Sequence, residues 1–343
     1  MNVDAAQDSQ SQALLRLGAQ YGRTYGALTA SGASALEAAL RHLGVTAGTE
    51  VILPDTGCYK IGAAVLREGA VPVFTAVGPG LVLSADAVAA AVTSRTRCVV
   101  AVHQYGLPCP VTDLRTALPD GVRIVEDAAQ SWDTLAEGRP VGRDGDVVVA
   151  SFGRTKPVPL GAGGAVLGDE PGLADLMASD SPSHRNLAVP GTTAPFPLPL
   201  AGDLLPLLAS AGALPRSRRE FVTALAPLFR DGRYTLPFLR QGDLPSWHRV
   251  PVRCATELHR DHLLAAAGHA SLRAQPEHPV RLPDLPMFRD RCRTVNRPGP
   301  AGADDRAQGP LVVLQPDGDL AQARQLGAAL LRGCHLTDRN LNS

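Results

Sequence analysis

Only two lysines, Lys60 and Lys156, occur in this chain of 343 residues, every other strong base being arginine. Arginine replaces lysine for charge and solubility, but only a primary amine condenses with an aldehyde to an imine. Lys156 closes the run Ser151-Phe152-Gly153-Arg154-Thr155-Lys156, and Leu160-Gly161-Ala162-Gly163-Gly164 follows it. A lysine between a strand-like run and a glycine-rich turn is a candidate nucleophile. Ser151 and Thr155 beside it offer hydroxyls to a phosphate. The plain alternative is a solvated charge in a turn.

Three more segments carry candidate chemistry. In Val125-Glu126-Asp127-Ala128-Ala129-Gln130, two acids end a strand-like run, where open α/β sheets place ligands. A buried carboxylate there can hold a protonated ring nitrogen, or can simply cap the next helix. Ser31-Gly32-Ala33-Ser34-Ala35-Leu36 joins a strand to a helix through small residues. Such a junction lets backbone approach a ligand and turns a helix N-terminus toward an anion, although most are only tight turns. His103-Gln104-Tyr105-Gly106 ends another strand, so His103 and Tyr105 either line a pocket or cap the sheet.

The elements that must position these groups are legible from periodicity. Strand-like runs fall at 27–30, 50–53, 71–75, 97–103, 122–126, 146–152 and 164–167. Helical patterns lie between several of them, at 34–43, 62–68 and 85–92, the last capped by Ser84. Near-continuous apolar strands such as Cys98–Val102 suit a sheet buried on both faces, so the pattern predicts an α/β fold with a mostly parallel sheet. Residues 1–235 are expected to form a large domain, with an irregular loop at about 180–202, and residues 236–343 a smaller C-terminal α/β domain. Pro279 to Asp305 reads as a loose excursion.

Composition narrows the function classes. Thirty-three bases balance thirty-three acids, which gives no electrostatic reason to expect nucleic acid or an anionic membrane as partner. The six cysteines are scattered without a C-x-x-C pair and are expected to be reduced thiols, with no metal site. Met1 to Gln12 shows no signal pattern, and Leu204 to Leu214 is too short to span a bilayer, so a soluble cytoplasmic protein is expected.

In order and spacing the segments resemble the DegT, DnrJ, EryC and StrS family of sugar aminotransferases, fold-type I enzymes that use pyridoxal phosphate (PLP). The matches are Ser31–Leu36, Gly48–Pro54, His103–Gly106, Glu126–Gln130 and Ser151–Lys156 with Gly163-Gly164. They cover residues 14–180 well and continue faintly through Ser246-Trp247-His248. The resemblance implies a large PLP-binding domain in which Lys156 carries the cofactor as a Schiff base and moves the proton. It also implies that Asp127 holds the pyridinium nitrogen, that Gln130 approaches the ring hydroxyl, and that Gly32, Ser151 and the amides of Ala33 and Ser34 hold the phosphate. A homodimer is implied as well, acting on a small-molecule ketone and an amino acid donor, glutamate or glutamine.

Departures from the family mark a divergent and shortened member. Cys58 stands where an aromatic normally stacks on the ring, which leaves Tyr59 next to it and Trp132, in place of a histidine, as candidate stacking partners. Of the two, Trp132 is favoured. The family's Asn-Tyr-Arg segment has no clear counterpart, Asn186 being the nearest candidate. Lys156 argues against the dehydratase branch, where histidine replaces it. The expected activity is transamination of a keto-sugar, cyclitol or related ketone in sugar or secondary-metabolite biosynthesis. Another PLP chemistry (elimination, decarboxylation or carbon–carbon bond chemistry) and a non-catalytic partner protein remain as alternatives.

Overall fold

The computed structural model describes residues 3–173, 196–277, 281–295 and 309–340. Fourteen strands occur among them: β1 Tyr25–Thr29, β2 Glu50–Pro54, β3 Val71–Thr75, β4 Thr96–Val102, β5 Arg123–Asp127, β6 Leu135–Ala136, β7 Arg139–Pro140, β8 Val147–Ser151, β9 Gly164–Gly168, β10 Tyr234–Thr235, β11 Val250–Cys254, β12 Arg273–Pro276, β13 Arg293–Val295 and β14 Leu311–Gln315. The helices are α1 Val3–Tyr21, α2 Gly32–His42, α3 Tyr59–Arg67, α4 Ala85–Ala91, α5 Val111–Ala117, α6 Ala201–Ser210, α7 Ala213–Ala224, α8 Glu257–His269 and α9 Leu320–Asn340. Asn186 and most of the irregular loop expected at about 180–202 lie outside the described residues.

The main sheet has eight strands in the order β1-β9-β8-β5-β4-β2-β3-β13. From β8 to β13 all neighbours pair in parallel, and β9 runs antiparallel to both β8 and β1. Strand alternation explains why the sheet is buried on both faces. In β4, Cys98, Val100 and Val102 enter the core under α2 and α3, while Val99 and Ala101 enter the one under α4 and α5. In β8, Val147 and Val149 face the first of these cores, and Val148 and Ala150 face a third, built with α1 and α6. Each fully buried Val or Leu contributes about 1.5–3 kcal/mol.

A second sheet, β10-β11-β14-β12, is antiparallel throughout and packs with α7, α8 and α9 around its own core. The chain crosses between the sheets more than once. β10 joins the second sheet before residue 236. Part of the segment read as a loose excursion comes back as β13, pairing in parallel with β3. Arg293 of β13 donates to the buried carboxylate of Glu50 at 2.9 Å, and Arg95 and Thr93 donate to the same group. Burial works against that charge, but these hydrogen bonds prevail and hold the Glu50 carboxyl below its usual range.

Two turns join the parts next to the chemistry. Tyr105 and Gly106 take left-handed backbone, φ 60 and 81, as does Trp247 at φ 49. The Gly106 carbonyl accepts the Ser246 N–H at 3.1 Å, and the Tyr105 carbonyl accepts the Arg249 N–H at 3.3 Å. A Cβ on Gly106 would lie 2.9 Å from the His248 nitrogen, so only glycine lets the two turns close on each other.

Candidate active site

A cleft of about 650 Å³ opens beyond the C-terminal ends of β4, β5 and β8, large enough for a cofactor and a substrate together. Strand alternation divides the two acids that end β5. Glu126 points away from the cleft, where its carboxylate accepts the amides of Gly142, Asp144 and Gly145 at 2.6–2.8 Å and the His103 Nε2 at 3.0 Å. His103 Nδ1 accepts the Cys109 N–H at 2.9 Å, so the ring proton sits on Nε2 and is donated to Glu126. Asp127 lines the cleft, its Oδ1 accepting the Ala129 N–H at 2.9 Å. Burial raises the Asp127 carboxyl above its ordinary range, against the opposing pull of that amide and of the Lys156 charge. A carboxylate held in this state favours a cation arriving beside it.

Across the cleft stands the N-terminus of α2. Ser31 caps this helix, its Oγ accepting the Ser34 N–H at 3.2 Å. Gly32 and Ala33 of the first turn line the cleft together with Ser31 and Ser151. A Cβ on Gly32 would lie 2.6 Å from the Ser151 Cβ, so the bare glycine is what brings the serine hydroxyl beside the helix end. First-turn amides, the helix dipole and a hydroxyl make a cradle suited to a phosphate.

Lys156 sits half-buried in the turn after β8, fixed by its N–H to the Gly153 carbonyl at 2.9 Å, and it lines the same cleft. No carboxylate among the described residues forms an ion pair with it. Gln130 and Tyr105 also line the cleft, the Gln130 Oε1 accepting the Tyr105 N–H at 2.9 Å and holding that residue in its left-handed backbone. Burial, then the neighbouring Glu277 carboxylate, pushes the Tyr105 hydroxyl well up. Lys60, Gln104, Arg249, Gln275 and Glu277 also line the wall, and none of them was expected as a site residue from sequence. Gln104 carries a buried Oε1 without a hydrogen-bond partner. Its place in the His103–Gly106 turn was a signal that strand-end position alone could have raised.

Four of the candidate residues lie off the cleft wall. Trp132 is absent from the cleft wall and packs edge-on against Tyr21 at 6.1 Å, in the core shared by α1 and α6. His103 is fully buried behind the cleft in its contact with Glu126. Tyr59 opens α3 with its side chain 47% exposed and off the cleft wall, whereas Cys58 is on it. Ser34 is buried, its amide spent on the Ser31 cap and its Oγ 3.0 Å from the Ser31 Oγ, so of the paired amides expected at the phosphate only that of Ala33 remains.

Trp132→Ala should therefore act on stability and not on the cleft. Removing this buried indole should cost about 3–5 kcal/mol of unfolding free energy in urea titrations. Cofactor affinity should stay within about two-fold, because the indole is not part of the cleft wall. Weaker cofactor binding at unchanged stability would contradict this placement.

The comparisons with known proteins agree with the geometry. Residues 15–190 match the DegT/DnrJ/EryC1/StrS aminotransferase family. The chain belongs to that family. One relative, the L-glutamine:2-deoxy-scyllo-inosose aminotransferase of Streptomyces kanamyceticus, is 38% identical over 47% of this chain, and the chain spans 39% of that relative's length. The erythromycin biosynthesis sensory transduction protein EryC1 of Saccharopolyspora erythraea is 31% identical, over 76% of this chain and 72% of its own. Among solved structures, DesV of S. venezuelae superposes with a TM-score of 0.79 at 26% identity, covering 94% of this chain and 87% of that one. The fold is accordingly the fold-type I architecture of PLP-dependent transferases. Cys58 lies on the cleft wall, at the position where the resemblance led a ring-stacking aromatic to be expected. No helix among the described residues is long and apolar enough to cross a membrane.

Proposed function

We propose that this chain is a PLP-dependent aminotransferase that moves an amino group from an amino acid donor to a keto-sugar, cyclitol or related small-molecule ketone. The observation that carries the reading is the convergence of Lys156, Asp127, Gln130, Ser151 and the α2 N-terminus on one cleft at the strand ends. The donor set fits the cofactor group by group. The cradle of Ala33 and Ser151 suits its phosphate, Asp127 its ring nitrogen, Gln130 its ring hydroxyl and Lys156 Nζ its aldehyde. When bound, PLP supplies an aldehyde that stores the amino group between half-reactions and a ring that withdraws electrons.

The chain's own groups supply positioning and proton transfer. With PLP bound, the Asp127 carboxylate, disfavoured as a buried charge, would hold a proton on the ring nitrogen. Lys156 Nζ would be the base that accepts a proton from the donor's α-carbon and gives it back. Val102 and Val149 give the cleft an apolar floor.

The donor is glutamate or glutamine, and the ketone belongs to sugar or secondary-metabolite biosynthesis, a reading supported by the similarity to the L-glutamine:2-deoxy-scyllo-inosose aminotransferase. We propose a homodimer in the cytoplasm, as the family resemblance implies. The reading is tested by supplying glutamate and glutamine labelled with ¹⁵N at the α-amino group together with a panel of keto-sugars and ketocyclitols. Label should appear as an amine on the acceptor. Consumption of the amino acid with release of carbon dioxide or ammonia and no transfer would sink it.

A further inference from the structure

Lys156, Asp127 and Ser151 reach the cleft from the main sheet, whereas Arg249, Gln275 and Glu277 reach it from the second. A substrate held between the two walls depends on how the sheets are fixed to each other. The joint lies where the segment after Gln130 meets the segment before β11. Thr134 is 1% exposed, and its Oγ1 donates to the Gly106 carbonyl at 3.2 Å while accepting the Ser246 N–H at 3.2 Å. The same Ser246 N–H reaches the Gly106 carbonyl at 3.1 Å. One hydroxyl thus closes a triangle between the Tyr105–Gly106 turn and the chain entering the second sheet. The Ser131 and Ser246 hydroxyls do not duplicate it, both being buried without a hydrogen-bond partner. Arg219 of α7 braces the joint from outside. Its Nε donates to the Pro245 carbonyl at 2.8 Å, its Nη1 to the Asp133 carboxylate at 3.0 Å, and its Nη2 to the Asp133 carbonyl.

Backbone carries the triangle to the cleft on both sides. The Tyr105 N–H is held by the Gln130 Oε1 at 2.9 Å, and the Tyr105 carbonyl takes the Arg249 N–H at 3.3 Å. Tyr105 and Trp247 are both left-handed, at φ 60 and 49, a conformation that side-chain-bearing residues keep only where their surroundings hold it. Without the Thr134 hydroxyl, the buried Ser246 N–H and Gly106 carbonyl each lose a hydrogen bond where water does not replace it. The strands under Lys156 and Asp127 pair within the main sheet and do not depend on this joint. The part free to shift is the wall brought by the second sheet. Such a shift loosens the grip on a substrate and leaves the cofactor groups where they are.

We propose that Thr134 is a positioning residue for substrate binding: by joining the Tyr105–Gly106 turn to Ser246, it fixes the second-sheet wall of the cleft against the cofactor site. The proposal rests on the aminotransferase reading, and its test separates the two. Wild type, Thr134→Val, Thr134→Ser and Arg219→Ala are loaded with PLP, and attachment to Lys156 is checked by borohydride reduction and peptide mapping. Each loaded protein is mixed with L-glutamine or L-glutamate, and the absorbance change gives a half-saturation concentration and a limiting rate. Thr134→Val should raise the half-saturation concentration roughly 10-fold and leave the limiting rate and PLP affinity within about two-fold, a small misplacement of a positioning wall being enough for a loss of that order. Thr134→Ser keeps the hydroxyl and should stay within about three-fold of wild type. Arg219→Ala should raise the half-saturation concentration by a smaller factor, and it replaces Thr134→Val as the deciding variant if the valine protein does not fold. A wild type that loads PLP on Lys156 but is converted by neither amino acid ends both readings. With wild type active, an unchanged half-saturation concentration in the deciding variant overturns the role of Thr134 alone. So does a serine variant as impaired as the valine one, or a loss confined to PLP affinity or to the limiting rate.

Discussion

Lys156→Ala should lower turnover by about four orders of magnitude, equivalent to roughly 5 kcal/mol of barrier, and leave a folded protein. The ammonium has no carboxylate partner among the described residues, and the turn that carries it is closed by backbone, the Lys156 N–H on the Gly153 carbonyl. Alanine therefore removes the amine and little else. Two measurements check this: steady-state rates, and peptide mapping after borohydride treatment of the PLP-loaded wild type. The mapping is a sharp control because Lys60, the only other lysine of the chain, lines the same cleft. A reduced adduct on Lys60, or near-normal turnover in Lys156→Ala, would overturn the assignment.

Asp127→Asn should slow the reaction by about a hundred- to a thousand-fold, the loss typical of a preorganised electrostatic group. It should also shift stability in opposite directions with and without cofactor. In the unloaded protein, burial raises the Asp127 carboxyl above its unfolded value, so at neutral pH the ionised group destabilises the fold. That cost grows as pH rises through the folded value and vanishes below the unfolded one. Asparagine keeps an oxygen for the Ala129 N–H and removes the charge, so unloaded Asp127→Asn should melt at or above the wild-type temperature. The cofactor should then stabilise the variant less than it stabilises wild type, because the cation it brings meets no anion. Melting curves with and without PLP read both effects. A variant as fast as wild type, or one destabilised when unloaded, would rule out the role given to Asp127.

Much of this was readable before any coordinates. A near-continuous apolar run placed β4 as a strand buried on both faces, and the motif order pointed to Lys156, Asp127, Gln130, Ser151 and Gly32 as one site. The misplacements have local causes. Trp132 is five residues beyond Asp127, but nearness in sequence does not fix a face, and the indole packs against Tyr21 in the core shared by α1 and α6. His103 and Tyr105 both follow β4, yet the tight turn between them sends one ring behind the sheet and the other into the cleft. Ser34 was read as a ligand although the spacing from Ser31 is that of a cap and its N3 amide. Arg249 gave no local signal, because it reaches the cleft wall from the second sheet, which packing and not a motif decides. The edge strand β13 has three residues after a proline-rich stretch, too few for any periodicity to register.

That edge strand has a consequence for how the protein is made. β3 is complete by Thr75, but its outer neighbour is not synthesised until Val295. While some two hundred residues are added, at roughly 5–20 per second in cells, the growing sheet carries an open, parallel-pairing edge. Glu50 waits through the same interval for Arg293, one of the groups that settle its buried charge. Parallel pairing between such distant segments pays its loop-closure entropy late. Folding of the large sheet should thus be committed only once Val295 has been made. Chains halted before residue 293 should be prone to associate through the β3 edge, a hazard that lies in the order of synthesis and not in the finished structure.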